Sequence, residues 1–235
     1  NLVSEIDHEA EREDLNRSEL VEDILKEYLE SMTIDSSVVF CGSPEVKALN
    51  KWRGEPVLKH VLRDLSEYVD EVYLLTGQNR MEIKEPFRSS YRDMKLNYYS
   101  DEASGTGSAL EKLSEEIEGT FLAVNGHVVS DVDIKEMMEV HRDEERIATM
   151  ALTTVENPSE YGVALLKGNK ILGFEEKPEP GEEPSRLINA GTYIFEPEIF
   201  NYLHEEDIES VFENLSDKAK LTGYIYGGEW KDFKK

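Results

Sequence analysis

Phe121-Leu122-Ala123-Val124-Asn125-Gly126-His127-Val128-Val129-Ser130-Asp131-Val132-Asp133 is the stretch whose reading decides the fold. Four apolar residues in a row, Phe121 to Val124, have the pattern of a strand covered on both faces, as in a parallel sheet. Asn125-Gly126 breaks the run, and Asp133 is placed to open a helix. In open α/β sheets ligands bind beyond the carboxyl ends of the strands, so His127 falls at the mouth of a site. Taken alone, the stretch reads as a plain strand-to-helix turn with His127 facing water.

Upstream, the same alternation repeats. Val38-Val39-Phe40, Val72-Tyr73-Leu74-Leu75 and Leu96 to Tyr99 read as strands. A helix opened by Pro56 carries Val57, Leu58, Val61, Leu62 and Leu65 at helical spacing. A short helix from Asn79 is expected to stop at Pro86, and another to run from Ser104-Gly105-Thr106-Gly107 through Ile117. Short connections between alternating strands and helices predict a parallel, doubly wound arrangement. Downstream of Arg146 the style changes to Ala148–Val155, Val163–Leu166 and Ile171–Phe174, with Gly168-Asn169 as a hairpin turn. Ile188–Phe195, helices from Pro197 and around Val211, and a last strand near Tyr224 complete the domain. The predicted fold is therefore α/β: a mixed, mostly parallel sheet with flanking helices.

Residues 1–36 form an acidic N-terminal extension and residues 37–235 the main domain. Up to Arg17 the extension is dominated by charge and is expected to be a frayed arm. Leu20, Val21, Ile24, Leu25, Tyr28, Leu29 and Met32 then share one face of a helix that Asn16 or Ser18 would cap. That helix is expected to dock on the domain or to offer a partner-binding surface.

Composition removes several classes of partner. With 26 basic and 51 acidic residues the net charge is -25, so nucleic acid and anionic membrane surfaces are excluded as partners. No apolar run is long enough to span a bilayer, and no basic-then-apolar leader is present, which predicts a cytoplasmic protein. One cysteine, Cys41, excludes an intrachain disulfide framework and reads as a small buried hydrophobe. The histidines other than His127 form no metal-ligand spacing with one another and read as surface or packing residues.

Six motifs, in order, carry a resemblance. They are Lys47-Ala48-Leu49 with Gly54-Glu55-Pro56-Val57; Ser104-Gly105-Thr106-Gly107-Ser108-Ala109-Leu110; Tyr161-Gly162-Val163; Gly173-Phe174-Glu175-Glu176-Lys177-Pro178; Asn189-Ala190-Gly191-Thr192-Tyr193; and Trp230-Lys231-Asp232. Together they resemble the sugar-1-phosphate nucleotidylyltransferases of the glucose-1-phosphate thymidylyl- and uridylyltransferase type. The resemblance implies a nucleotide-diphospho-sugar transferase-like, Rossmann-like fold. It implies attack of a sugar 1-phosphate on the α-phosphorus of an NTP, a reaction run on positioning and charge neutralisation.

By this resemblance Glu176 accepts hydrogen bonds from sugar hydroxyls and Lys177 pairs with the sugar phosphate. Tyr161, Gly162 and Asn189 line the sugar pocket, Gly191 lets backbone approach closely, and Tyr193 serves as lining or as core. Asn125 and Gly126 lie beside the substrate, Gly105 meets a base by its backbone, and Lys47 is the phosphate-facing lysine. The family's two metal-holding aspartates correspond to His127 and Asp232, which implies a Mg²⁺ ion at a pair in which imidazole replaces the preferred oxygen.

The nucleotide side departs from the family. The glycine-rich loop after the first strand is roughly ten residues short against its motif, and its arginine has no counterpart. Glu45 adds negative charge there, and Ser100 stands where a base-reading glutamine is common. The sequence therefore reads as a degenerate copy that binds a sugar 1-phosphate or nucleotide sugar in a regulatory or scaffold role, assembled with itself or with an active paralogue. The alternatives are an active nucleotidylyltransferase using Lys47, Lys177 and Asp232, and an interaction module acting through the N-terminal helix.

Overall fold

The computed structural model describes residues 2–31, 34, 36–42, 47–100, 105–203 and 207–233, with backbone alone for 27–31. The chain forms two compact units, residues 1–34 and 35–235.

In the first unit the charged arm is a helix, α1 (Leu2–Arg12), followed by α2 (Arg17–Ser31), which corrects the expectation of a frayed segment. Its order has a local cause. Arg17 Nε donates to Asp7 at 2.6 Å and ties the two helices, while Ala10 and Leu20 are buried. Asn16 Oδ1 accepts from the Ser18 and Glu19 amides, and Glu19 accepts from the Asn16 amide, a reciprocal capping box for α2. Ile24 and Leu25 of the expected apolar face are half exposed. The side chains of Tyr28, Leu29 and Met32 lie outside the described residues.

The second unit is built on β1 (Ser36–Phe40), β2 (Lys51–Trp52), β3 (Glu55–Pro56), α3 (Val57–Leu65), β4 (Glu71–Leu75), α4 (Arg80–Phe87), β5 (Ser90–Tyr91) and β6 (Met94–Tyr99). The chain continues through α5 (Thr106–Glu111), β7 (Phe121–Asn125), β8 (Val128–Ser130), α6 (Ile134–Glu144), β9 (Ala148–Thr154), β10 (Gly162–Lys167) and β11 (Lys170–Glu176). It ends with β12 (Leu187–Phe195), α7 (Ile208–Asp217), β13 (Leu221–Ile225) and β14 (Trp230–Asp232). The main sheet runs β10-β11-β13-β9-β12-β7-β1-β4-β6-β5. As expected, β7, β1, β4 and β6 are parallel neighbours. From β12 onward the sheet is mixed: β12 is antiparallel to both β7 and β9, and β13 is parallel to β9.

Alternation along β7 divides the cores. Phe121 and Ala123 join the cluster of Phe195, Phe212, Tyr193, Leu110 and Leu113 on one face. On the other, α3 buries all five of its spaced apolar residues, Val57, Leu58, Val61, Leu62 and Leu65. Below the strands, buried His141 bridges Thr149 Oγ1 at 2.7 Å and Glu196 Oε1 at 2.9 Å, and the Thr120 hydroxyl donates to the same carboxylate.

Three local expectations change. Helix α4 passes through Pro86 to Phe87, because buried Ile83 and Phe87, one turn apart, hold its last turn onto the sheet. Helix α5 stops at Glu111 and continues to Ile117 as turns, with Leu113 and Ile117 still buried. The segment after β7 is not a bare turn to α6: β8 pairs antiparallel with β14. These short strands carry too few residues for a period to show in sequence.

A candidate sugar-phosphate site at the carboxyl edge of the sheet

Gly126-His127 turns the chain from β7 into β8, and β14 lies beside β8 with Asp232 opposite Val128. This register decides the fate of His127. Its backbone oxygen accepts from the Phe233 amide at 2.9 Å, and Nε2 lies 3.7 Å from Asp232 Oδ1. The His127 side chain is 19% exposed and that of Asp232 10%, so the expectation that His127 faces water is corrected.

One pocket gathers most of the motif residues. Its lining includes Asn125, His127, Tyr161, Gly162, Glu176, Asn189 and Asp232. Five strands contribute: the end of β7, the start of β10, the end of β11, β12 and β14. Packing of Phe174 and Glu176 against Gly162 leaves no room there for a side chain; a Cβ would lie 2.2 Å from Phe174 Cζ and 2.7 Å from Glu176 Oε2. Lys177 turns out of β11 at φ +49, its amide donates to Tyr161 O at 3.1 Å, and its ammonium lies 3.0 Å from Glu176 Oε1. The Glu176 carboxylate first, and Glu209 further off, hold the Lys177 ammonium above its ordinary range. It is therefore a permanent cation at the pocket edge.

Gly191 shows a different use of close approach from the one expected. At φ +78 its missing Cβ admits the Asn125 side chain, whose Nδ2 would be 2.5 Å from that Cβ. The neighbour is protein, not ligand. Gly126 likewise packs on Cys41 Sγ and Phe40 O under the end of β1. Gly191 and Asn125 also border a second cavity of about 530 Å³ on the face of β7 that carries Leu122 and Val124. That cavity holds no other candidate site residue.

Lys47 and Gly105 are not brought into the pocket lining. Lys47 stands half-buried on a turn of 3₁₀ helix, and Gly105 is the extended residue before α5. At that helix start Asp207 accepts from the Thr106 amide at 3.4 Å, while Thr106 Oγ1 accepts from the Ile208 amide at 3.1 Å. The first turn of α5 is thus linked to α7. Ser43, Pro44, Glu45 and Ser104 lie outside the described residues.

Five lining residues had been given no role by sequence: Val128, Glu160, Glu209, Ala190 and Trp230. Trp230 opens a quoted motif and is held by donation from Nε1 to Ala190 O at 3.0 Å, with its ring edge-on to Tyr161 at 5.3 Å. Glu160 precedes the Tyr161-Gly162 pair. Glu209 carries no sequence signal; it arrives because α7 packs on β11.

A hard divalent cation does not fit the His127–Asp232 pair. Mg²⁺ takes oxygen ligands, and this pair supplies one carboxylate and one imidazole. Among the described residues no group of three or more His, Cys, Asp or Glu could hold a metal ion.

A family model described as nucleotidyl transferase matches residues 42–233. The bifunctional protein GlmU of Methanococcus maripaludis is 31% identical over 189 residues, covering 76% of this chain and 44% of its own. A UTP–glucose-1-phosphate uridylyltransferase of a Synechocystis species is 33% identical over 167 residues, covering 63% of this chain and 43% of its own. Among solved structures, UDP-glucose pyrophosphorylase from Acinetobacter baumanii superposes with a TM-score of 0.74 at 16% identity, covering 86% of this chain and 89% of that one. The chain spans less than half the length of these two relatives.

Proposed function

Because the chain belongs to the nucleotidyl transferase family, we propose that it binds a sugar 1-phosphate or nucleotide sugar and is impaired in nucleotidyl transfer. The observation that carries this reading is the His127–Asp232 pair at 3.7 Å, set where the resemblance calls for two metal-holding carboxylates. Nucleotidyl transfer depends on charge stabilisation of the reacting phosphates, and a metal at this place would neutralise the bridging oxygens. A His/Asp pair gives a hard cation little purchase.

The sugar side supports binding. Lys177 offers an ammonium for a charge-assisted contact with phosphate, in exchange for its present contact with Glu176. Glu176 accepts from ring hydroxyls, and Asn189 is held at the pocket wall, its Oδ1 accepting from the Gly191 amide and its side chain bonded to Tyr193. Tyr161 and Trp230 form an aromatic wall. Such a subunit acts by binding, in a regulatory or scaffold role with itself or an active paralogue.

Titration calorimetry with sugar 1-phosphates and NTPs, run beside a pyrophosphate-release assay with Mg²⁺ or Mn²⁺, tests this. The expected result is sugar-phosphate binding that disappears in Lys177→Ala, without pyrophosphate release. Metal-dependent turnover would establish the active alternative. Silence for every ligand would move the function to the N-terminal helices.

A further inference from the structure

The pocket that gathers the motif residues encloses about 50 Å³, room for a few waters. Sites for small ligands run to about 300–1,000 Å³. A sugar phosphate therefore enters only if a wall moves, and the walls differ in how they are held. Gly162, Ala190 and Tyr193 are buried residues of the ten-stranded sheet, and Tyr193 stacks on Phe195 in the core. Glu209 rides on α7, whose Ile208, Val211 and Phe212 are buried. Trp230 and Asp232 come instead from β14, which pairs with β8 in a separate two-stranded sheet. Residues Gly227 to Phe233 are all half-buried or exposed. A pair of short strands of this kind is marginally stable by itself.

We infer that Gly227 to Phe233 form a hinged strap that closes this pocket and swings away from β8 to admit the ligand. The inference rests on the sugar-phosphate reading above and adds how that site opens. Gly227-Gly228 is the hinge. A Cβ on Gly227 would meet nothing within 4 Å, so the backbone has space to turn there. Beyond the hinge the ties lie at the rim. Glu229 meets Arg53 at 3.1 Å, and its amide donates to Asp131 Oδ2 at 3.0 Å. Lys231 Nζ lies 4.2 Å from the centre of the Trp52 ring, and Asn50 Nδ2 donates to Phe233 O at 3.2 Å. Arg53, Asp131 and Asn50 are exposed and Trp52 is half-buried, so water replaces these contacts at little cost. Asn50, Trp52 and Arg53 belong to one short segment, and the β2–β3 hairpin is thus the catch of the strap. Inside, the Trp230 indole is held on Ala190 O and against the Tyr161 ring. One movement of β14 lifts Asp232 from His127 and withdraws the indole from the pocket.

A disulfide across the strap tests this. Val129 and Lys231 are cross-strand partners in β8 and β14, so the double variant Val129→Cys, Lys231→Cys locks the strap shut on oxidation. Calorimetry with glucose 1-phosphate and N-acetylglucosamine 1-phosphate compares its oxidised and reduced forms with the parent protein. The reduced form is expected to bind, oxidation to weaken binding by at least about tenfold, and reductant to restore it. Both tryptophans of the chain, Trp52 and Trp230, sit at the strap, so their emission should shift on binding in the reduced form alone. Equal affinity in the two redox states overturns the strap and leaves the sugar-phosphate reading standing. Failure of the parent to bind either probe overturns the sugar-phosphate reading. Hydrogen exchange on the parent judges the strap without any variant or ligand. There the amides of residues 231–233 are expected to exchange at least about a hundredfold faster than those of β12. Equal protection of the two segments overturns the strap.

Discussion

His127 Nε2 lies 3.7 Å from Asp232 Oδ1 although 105 residues separate them in the chain, and the pairing of β8 with β14 holds the two together. That contact occupies the place where a nucleotidyl transferase would be expected to gather carboxylates. In His127→Asp the donor set becomes all oxygen. Calorimetry should then detect Mg²⁺ binding that the parent protein lacks. Identical metal titrations for the two proteins would sink the view that imidazole is what denies the cation a site.

Lys177 tests the phosphate side. Replacing it with Ala removes the cation beside Glu176 and is expected to weaken sugar-phosphate binding by about tenfold or more, the loss of one charge-assisted contact of about 1.5–3 kcal/mol. Its backbone sits at φ +49, so Lys177→Gly should lose the same affinity while relieving backbone strain. The two variants are compared by calorimetry and by thermal melting.

Gly191→Ala places a methyl group 2.5 Å from Asn125 Nδ2 at φ +78. A non-glycine residue in that region costs about 1–3 kcal/mol, and displacement of Asn125 adds to it. Urea unfolding should show a lower midpoint with an unchanged slope.

Glu196 ties acid stability to a buried histidine. Hydrogen bonding from His141 holds its carboxyl below the usual 4.5, with a smaller contribution from Thr120, against the opposing effect of burial. A carboxylate depressed in the folded state contributes stability that is fully present above its unfolded pKa and is lost as pH falls through the folded value. Unfolding free energy should therefore decline below about pH 4.5. In Glu196→Gln that part of the decline should be absent. Glu196→Ala should cost about 1–3 kcal/mol at neutral pH, since His141, only 2% exposed, keeps its imidazole without this partner.

Cys41 is buried at the end of β1, and burial pushes its thiol up to about 12. A disulfide reagent at neutral pH should react with it only at the rate of unfolding. Rapid stoichiometric labelling of the native protein would place the thiol in an open site instead.

Much of this architecture was legible because burial writes periods into sequence. The runs Val38–Phe40, Val72–Leu75 and Phe121–Val124 are apolar because their strands are covered on both faces. The helix over Val57–Leu65 is legible because one of its faces is wholly buried. Where contact is made by few residues the signal vanishes. β8 and β14 span three residues each, and Pro86 sits inside a helix that sequence rules would end before it. Order in Leu2–Arg12 depends on Arg17 meeting Asp7, a pairing hidden in a run of charge.

Sequence by itself determined most of the strand-and-helix order of the main sheet, the family motifs, and the presence of His127 where an aspartate is expected, because each is a matter of residue type at a fixed local spacing. Tertiary structure alone decided that His127 turns inward to Asp232, that Gly191 makes room for Asn125, and that Glu209 joins the pocket of motif residues. Those outcomes rest on strand register and helix packing between segments far apart in the chain, where local spacing carries no information.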